Sequence, residues 1–329
     1  MIDISVLIVV RNEERYIVDC IKSIETQFNE ATKWELIIID GQSTDSTKLL
    51  SNNYLASVKY NWSIIDNPKR TLAPGWNLGI RHSKGKYILR PDAHATLHSN
   101  YIEEGIITME NDLSVSAVGG ILETKSNSFW GDIIKTALSS KIGVGNSSFR
   151  TAKSSGFADT AVYAIYRKEI FDKVGSFNEN LVRHQDNEMH NRVKDVDGLF
   201  YLNINMIADY YCRDTIYSIS KQMFNIGRYL PDVMFNGSLS VRHFIPFGFY
   251  LSVFLGLILG LISPIFTILT CIIFVLYLIV ILIESIHKSI MSKSINKLLL
   301  IIIIPLIHLN YGMGTLWGLL ALPFKSNSY

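Results

Sequence analysis

In this 329-residue chain, the side chains of Asp92 and His94 have types and a spacing that suit the binding of a metal ion. One residue separates them, so an extended segment would point both side chains the same way, as two ligands of one metal ion require. A carboxylate and an imidazole can hold Mn²⁺ or Mg²⁺ while phosphate groups of a substrate complete the coordination. An isolated Asp-x-His string also arises by chance, so both interpretations stand at this point.

The elements that would position these side chains alternate along the chain. Runs rich in β-branched residues predict strands at 4–10, 35–39, 63–66 and 87–90. Segments with helical spacing or a capping residue predict helices at 14–28, 46–57 and 74–82. This order indicates an α/β fold with a mostly parallel, right-handed sheet whose ligand lies beyond the carboxyl ends of the strands.

Polar side chains follow each predicted strand where it ends. The clusters are Arg11-Asn12-Glu13, Asp40 to Asp45, Asp66-Asn67 and Pro91 to His94. Because the carboxyl ends of parallel strands meet at one edge of a sheet, we expect these clusters to converge. Asp40 would either accept hydrogen bonds from a base or ribose or cap the following helix. The chain has no G-x-G-x-x-G after its first strand and no G-x-x-x-x-G-K-[ST], which removes the main support for dinucleotide-binding and P-loop interpretations.

Charge is distributed unevenly along the chain. Of 31 basic and 29 acidic side chains, the first 243 residues hold 27 basic and 28 acidic ones. This balance argues against nucleic-acid binding, which needs concentrated positive charge. Cys20, Cys212 and Cys271 form no C-x-x-C pair, which argues against a disulfide framework or a cysteine-based zinc site. The first residues lack the pattern of a secretion signal, so we expect the front part in the cytoplasm.

The C-terminal sequence predicts a membrane domain. Residues 244–283 contain no charged side chain, and this length suffices for two helices of the ~20 residues needed to cross a bilayer. A turn at Ser263-Pro264 would separate them, and a third apolar run follows. We expect three spans, near 244–262, 265–283 and 298–322.

The loop before the third run carries Lys288, Lys293 and Lys297, which places it in the cytoplasm by the positive-inside tendency. The chain is therefore expected to be a multi-pass protein of the inner (plasma) membrane with its front domain in the cytoplasm. Within the third run, His308 and Asn310 would either contact a lipid head group or, more simply, take part in helix packing.

The order of the motifs resembles glycosyltransferase family 2 over nearly the whole chain. The strings that carry the resemblance are Val10-Arg11-Asn12-Glu13, Ile39 to Asp45, Ala73 to Ile80, Arg90-Pro91-Asp92-Ala93-His94, Gly156 to Ala161, Val174 to Glu179, Arg183 to Glu188 and His308 to Gly312. The nearest likeness is to membrane-attached glucosyltransferases of succinoglycan-type exopolysaccharide synthesis. The resemblance implies a GT-A fold and, usually, transfer with inversion.

The resemblance also implies site residues. Those expected to bind the donor nucleotide are Val10, Arg11, Asn12, Glu13, Asp40, Asn77 and Asp92. Asp92 and His94 would bind the divalent metal, Mn²⁺ or Mg²⁺, with His94 where many relatives have a second Asp. Asp186 would be the catalytic base, preceded by Gln185 where many relatives have an acid. Without the family, Asp186 would be interpreted as a solvated acid at a helix start.

Residues 211–243 are expected to form an amphipathic linker at the membrane interface, because basic side chains alternate there with aromatic and apolar ones. The remaining candidates for contacts with the acceptor or the diphosphate are Gln185, Glu188, Gln222 and Arg228. Glu188 is also the reserve candidate for the base. Gln222 and Arg228 stand near the position of the Q-x-x-R-W motif of processive relatives, and they would otherwise belong to a basic and aromatic membrane anchor.

The expected organisation is a GT-A catalytic domain over 1–210, the linker over 211–243 and a membrane domain over 244–329. The expected activity is inverting transfer from a nucleotide-sugar, with UDP implied by the family, to a polyprenyl-linked saccharide of capsule or exopolysaccharide synthesis, in contact with membrane lipids. The alternatives are a polyprenyl-phosphate sugar synthase, a processive polysaccharide synthase and, outside catalysis, a membrane-anchored nucleotide-binding module.

Overall fold

The computed structural model describes residues 2–28, 33–145, 148–234 and 243–324. The chain divides into two compact units, of which the first comprises residues 1–123 and 148–211 and the second comprises residues 124–147 and 212–329. The predicted catalytic domain, 1–210, includes segment 124–147, which the structure groups with the second unit instead. Of the predicted linker, residues 235–242 lie outside the described part of the chain.

The strands are β1 Ile4–Val10, β2 Trp34–Asp40, β3 Asn61–Asp66, β4 Tyr87–Leu89, β5 Ala95–Leu97, β6 Val115–Lys125, β7 Gly156–Ala158, β8 Ile165–Arg167 and β9 Leu199–Tyr211. The helices are α1 Ile17–Glu25, α2 Thr47–Leu55, α3 Leu72–His82, α4 Tyr101–Asn111, α5 Phe129–Leu138, α6 Lys141–Val144, α7 Ser148–Thr151, α8 Ile170–Val174, α9 Gln185–Asp195, α10 Ile216–Arg228, α11 Pro231–Met234, α12 Ile245–Gly260, α13 Pro264–Ser292 and α14 Leu300–Ala321. The predicted strands and helices of the first 90 residues are confirmed as β1 to β4 and α1 to α3.

The first unit is built on one sheet with the strand order β3-β2-β1-β4-β8-β6-β9-β5, and β7 pairs with β9. Strands β3, β2, β1 and β4 are parallel to one another, whereas β8 runs antiparallel to both β4 and β6. In the register of the parallel half, Val10 lies opposite Asp40, and Asp40 lies opposite Asp66. The polar residues that follow these strands therefore emerge along one edge.

Helices cover both faces of this sheet. Alternate residues of β1 enter two different apolar cores, because successive side chains of a strand point to opposite faces. Ile8 lies in the core that contains α1 and α4, and Leu7 lies in the core that contains α3 and α9. Burial on both faces explains why β1 and β2 are continuous apolar runs. Gly75 lets α3 approach closely, since a Cβ there would lie 2.6 Å from a methyl carbon of Val9.

The second unit contains the apolar helices. In the part of the chain that the structure describes, two of them are long and apolar enough to cross a membrane, namely α13 and the stretch Ile295–Phe324 that includes α14. The first predicted span forms α12, which has 16 residues and would extend only about 24 Å, less than the ~30 Å hydrocarbon core. Within the described residues, the three predicted spans are therefore corrected to two candidate spanning helices.

Polar contacts hold segment 124–147 against these helices. Lys297 pairs with Asp132 of α5, and the hydroxyl of Ser140 donates to Glu284 of α13 at 2.7 Å. The imidazole of His308 contacts the hydroxyl of Tyr277 at 2.9 Å and the carbonyl of Gly143 at 3.1 Å. These bonds support the packing interpretation of His308.

Candidate active site

The loops after β1 and β2 lock together at the edge of the sheet. Asn12 has a left-handed backbone with φ 57°, its amide donates to the hydroxyl of Ser43 at 3.0 Å, and its side-chain oxygen accepts from the amide of Thr44 at 2.8 Å. Asp40 is 2% exposed and accepts a hydrogen bond from the amide of Ser43 at 3.1 Å. Hydrogen bonds thus fix the surface of these two loops, within which Asp40 is almost fully buried.

The other predicted members of this surface differ in exposure. Val10 is buried at the end of β1, where its carbonyl accepts from the amide of Gly41 at 2.8 Å. Arg11 is exposed. The amide of Glu13 donates to the hydroxyl of Thr47 at 2.7 Å, which leaves the Glu13 carboxylate to face His94. This loop therefore presents the backbone of Val10 and the side chains of Arg11 and Glu13.

Glu13, Asp92 and His94 converge beyond the strand ends. Nδ1 of His94 lies 3.3 Å from Oε1 of Glu13, and Nε2 of His94 lies 3.9 Å from Oδ2 of Asp92. Ligand atoms of one octahedral ion with bonds of about 2.1 Å are about 3 to 4 Å apart. The separation of Asp92 and His94 and their oxygen and nitrogen donors therefore fit a divalent cation such as Mn²⁺.

The environment of Asp92 links it to the rest of the site. Loss of hydration in its crowded surroundings raises the pKa of Asp92, and the charge of Asp186 raises it further, while His94 and Arg90 oppose the shift. The hydroxyl of Tyr163 also bonds to Asp92. Tyr163 is 5% exposed with φ 46°, a backbone conformation that costs about 1–3 kcal/mol and is found mainly at functional sites.

Asp186 lies in the first turn of α9 and pairs with a residue next to the metal-binding candidates. Its Oδ1 accepts a hydrogen bond from Nη2 of Arg90 at 2.7 Å. The Asp186 side chain is 46% exposed, whereas that of Arg90 is 5% exposed. Since Arg90 precedes Asp92 by two residues, the ion pair brings Asp186 to the same edge of the sheet as Asp92.

Three further candidates have structural partners. Asn77 is 3% exposed, and its amide group bonds to the amide and carbonyl of Phe177 and to Glu179, each at 2.9 Å. The nucleotide contact of Asn77 stays a prediction. Both carboxylate oxygens of Glu188 accept hydrogen bonds from Arg192, at 2.8 and 2.9 Å, and its role as the reserve base stays a prediction. Gln185 is buried and donates to the carbonyl of Leu181.

Gln222 and Arg228 belong to α10 of the second unit. Their predicted contacts with acceptor or diphosphate remain a proposal.

Sequence reasoning missed three features of the first unit. Arg90 and Tyr163 are not among the predicted site residues, although Arg90 belongs to the string Arg90 to His94. Potential ligand atoms of His98, Glu123 and Asp209 lie within 4.8 Å of one another, so they form a second candidate metal group. His98 and Asp209 already pair at 2.8 Å. Because these residues come from β6, β9 and the loop after β5, no local motif could have revealed the group.

The sequence pattern of the family described as "Glycosyl transferase family 2" matches residues 5–175, just over half of the chain. This chain belongs to glycosyltransferase family 2. The protein is accordingly a glycosyltransferase, and the family resemblance predicted from its motifs is confirmed.

Two curated relatives of this glycosyltransferase share much of its length. It is 28% identical, over 75% of this chain and 78% of the relative, to dolichyl N-acetyl-alpha-D-glucosaminyl phosphate 3-beta-D-2,3-diacetamido-2,3-dideoxy-beta-D-glucuronosyltransferase of Methanococcus voltae. It is 27% identical to the succinoglycan biosynthesis protein ExoA of Rhizobium meliloti, over 59% of this chain and 58% of that protein.

Solved structures resemble the glycosyltransferase in fold. GalNAc-T7 crystallised with UDP, GalNAc and Mn²⁺ gives a TM-score of 0.53 at 14% identity, over 70% of this chain and 48% of that one. Residues 1–349 of S. aureus TarS give a TM-score of 0.50 at 15% identity, over 100% of this chain and 93% of that one. The fold is therefore the predicted GT-A-like α/β fold.

Proposed function

We propose that this enzyme is an inverting glycosyltransferase that moves a sugar from a nucleotide-sugar donor to a lipid-linked saccharide in capsule or exopolysaccharide synthesis. UDP is the nucleotide that we expect. The observation that carries the proposal is the ion pair between Arg90 and Asp186, because it relates the candidate base to the nearby Asp92. The two long apolar helices and the M. voltae relative, named for transfer to a dolichyl-phosphate-linked sugar, support a lipid-linked acceptor at a membrane.

Asp186 would act as the base of a single displacement. Its half-exposed carboxylate accepts the proton of an acceptor hydroxyl while the hydroxyl oxygen bonds to the anomeric carbon of the donor. The bond from that carbon to the diphosphate oxygen breaks on the opposite face, and the nucleoside diphosphate leaves. This attack from the face opposite to the leaving group inverts the anomeric configuration.

The donor would lie on the surface made by the loops after β1 and β2. Asp40 is suited to the base or ribose, and the diphosphate would extend toward Asp92 and His94. These two side chains, with Glu13 beside His94, would hold Mn²⁺ or Mg²⁺. When bound, the cation supplies positive charge that stabilises the departing diphosphate.

The test is a transfer assay on membranes that contain the full chain, with a panel of radiolabelled nucleotide-sugars and polyprenyl-linked acceptors. We expect one donor to label the acceptor with a single sugar, and we expect Asp186→Asn to lower kcat by about 10²- to 10⁴-fold. Glu188→Gln is the control at a carboxylate already bound to Arg192, and its effect should be much smaller. No transfer with any donor, or full transfer by Asp186→Asn, would refute the mechanism.

The product distinguishes the alternative activities. Mass spectrometry of the lipid product would reveal a polyprenyl-monophosphate sugar if the enzyme were a polyprenyl-phosphate sugar synthase. A ladder of lengths would indicate a processive synthase. Binding of UDP and Mn²⁺ without turnover would indicate a nucleotide-binding module.

A further inference from the structure

Arg90 places a positive charge in the apolar interior of the first unit. Its guanidinium carbon lies 3.8 Å from the ring centroid of Trp76, 4.4 Å from that of Phe177 and 5.4 Å from that of Tyr166. Ring faces attract a cation, but removing a guanidinium from water is costly even so. A buried ion pair is weak evidence for stability, so the arrangement calls for a different explanation.

The pair between Arg90 and Asp186 is asymmetric. Arg90 is 5% exposed and surrounded by rings, while Asp186 is 46% exposed. Within the described ranges, Nε and Nη1 of Arg90 have no hydrogen-bond partner, so its directed polar contact is the one from Nη2 to Asp186. Because the rings hold the cation and the carboxylate is half-exposed, the position of the Arg90 guanidinium determines where the Asp186 carboxylate lies.

The walls of this aromatic cage, formed by Trp76, Phe177 and Tyr166, are themselves fixed. The amide group of Asn77 bonds to the main chain of Phe177 through both its nitrogen and its oxygen. The hydroxyl of Tyr166 bonds to Nε2 of His190 at 2.7 Å, one turn after Asp186 on α9. The cage therefore joins α3, β8 and α9 to the residue that follows β4.

We propose that Arg90 is the positioning residue of the catalytic base. It holds Oδ1 of Asp186, so that the other carboxylate oxygen faces the acceptor hydroxyl. The aromatic cage keeps the guanidinium buried, so that the pair does not shift toward solvent. Trp76 and Asn77 of the motif Ala73 to Ile80 then serve the base rather than the nucleotide. This inference rests on the proposed role of Asp186.

The test compares Arg90→Gln and Arg90→Lys in the full-length enzyme, with kcat, donor KM and apparent melting temperature as readouts. Misplacement of a catalytic group by about 1 Å can cost 10²-fold in rate. We expect Arg90→Gln to lower kcat about 10²-fold with donor KM changed less than threefold. Arg90→Lys keeps the charge in the cage, so its kcat should be about tenfold higher than that of Arg90→Gln. Lys86→Gln is the matched control, because it removes a cation from an exposed pair with Glu110 just before β4.

The outcomes separate the two proposals. If Asp186→Asn retains full activity, the proposed base is wrong. If Asp186→Asn is inactive but Arg90→Gln keeps the wild-type kcat, only the positioning role of Arg90 is overturned. Equal losses in Arg90→Gln and Arg90→Lys with a lowered melting temperature would indicate a structural role and also overturn it. Should Arg90→Gln fail to fold, an unchanged kcat in Arg90→Lys overturns the proposal, and a reduced kcat at unchanged donor KM supports it.

Discussion

At the scale of single residues, Asp92 and His94 are the side chains expected to determine metal dependence. Removal of divalent cations with EDTA should abolish transfer, and Mn²⁺ should restore it. If Asp92 and His94 supply two of the ligands as proposed, Asp92→Asn and His94→Ala should each raise the Mn²⁺ concentration for half-maximal activity at least tenfold. The measurement is a Mn²⁺ titration of initial rates with the enzyme in detergent.

His98→Ala is the control for this titration, because His98 belongs to the separate group with Glu123 and Asp209. We expect it to leave the Mn²⁺ requirement unchanged. If His98→Ala raises the requirement while His94→Ala does not, the functional cation binds at the other group.

His190 gives the folded protein a specific sensitivity to acid. Burial lowers the pKa of His190 from 6.5 to about 4, although the charge of Asp186 opposes the shift, and the neutral ring bonds to Thr160 and Tyr166. Between pH 6.5 and 4 the unfolded chain therefore binds a proton that the folded chain does not, so stability falls as the pH falls. The expected loss is about 2 kcal/mol between pH 8 and pH 5.

The comparison with His190→Gln measures this contribution, since all other titrating groups are common to both proteins. Between pH 8 and pH 5, the apparent melting temperature of the wild type should fall by several degrees more than that of His190→Gln. Identical pH dependence of the two proteins would show that His190 is not held neutral in the native state.

At the scale of elements, the contact between α10 and α14 depends on glycine. A Cβ at Gly314 would collide with the carbonyl oxygen of Phe224, and one at Gly318 would collide with that of Arg228. Small residues let helix backbones approach closely, as in membrane proteins generally. The obstacles are main-chain atoms, which a rotamer change cannot move.

Gly314→Ala should therefore destabilise the protein by a net amount of about 1–3 kcal/mol, even after the ~1 kcal/mol that Ala gains over Gly in a helix is subtracted from the cost of the collision. The expected fall in apparent melting temperature is about 2–10 °C. Gly248→Ala is the matched control on α12, because no atom of the described residues lies within 4 Å of its added Cβ. It should leave the melting temperature unchanged or raise it, and a larger loss there than at Gly314 would contradict the packing argument.

At the scale of the whole molecule, the topology of the apolar helices can be measured by cysteine labelling. If α13 crosses the membrane, its two ends lie on opposite sides. In a Cys271→Ser background, one of Ile262→Cys and Ser292→Cys should react with a membrane-impermeant maleimide in intact cells, and the other only after permeabilisation. Labelling of Ser292→Cys in intact cells is the pattern expected if only the two candidate spanning helices, α13 and α14, cross and the first unit is cytoplasmic.

Labelling of Ile262→Cys instead would place the lysine-bearing loop inside, as the positive-inside tendency favours, and would mean that α12 and its flanking residues cross as well. Labelling of both positions from the same side would contradict α13 as a spanning helix. Each result thus selects one membrane arrangement.

The sequence by itself determined the parallel half of the sheet, the three helices of the first 90 residues and the apolar C-terminal part. These features depend on local periodicity and composition, which any short window of the chain contains. The family was equally accessible, because the order of the motifs is a property of the sequence.

Only the tertiary structure decided which distant residues meet. The Arg90–Asp186 pair joins positions 96 residues apart, and the buried side chain of Asn77 bonds to the main chain of Phe177, 100 residues further along. Segment 124–147 joined the second unit through Asp132 and Ser140, whose partners follow more than 140 residues later. Such pairings depend on how packed elements bring side chains together across long loops, and no local pattern encodes that.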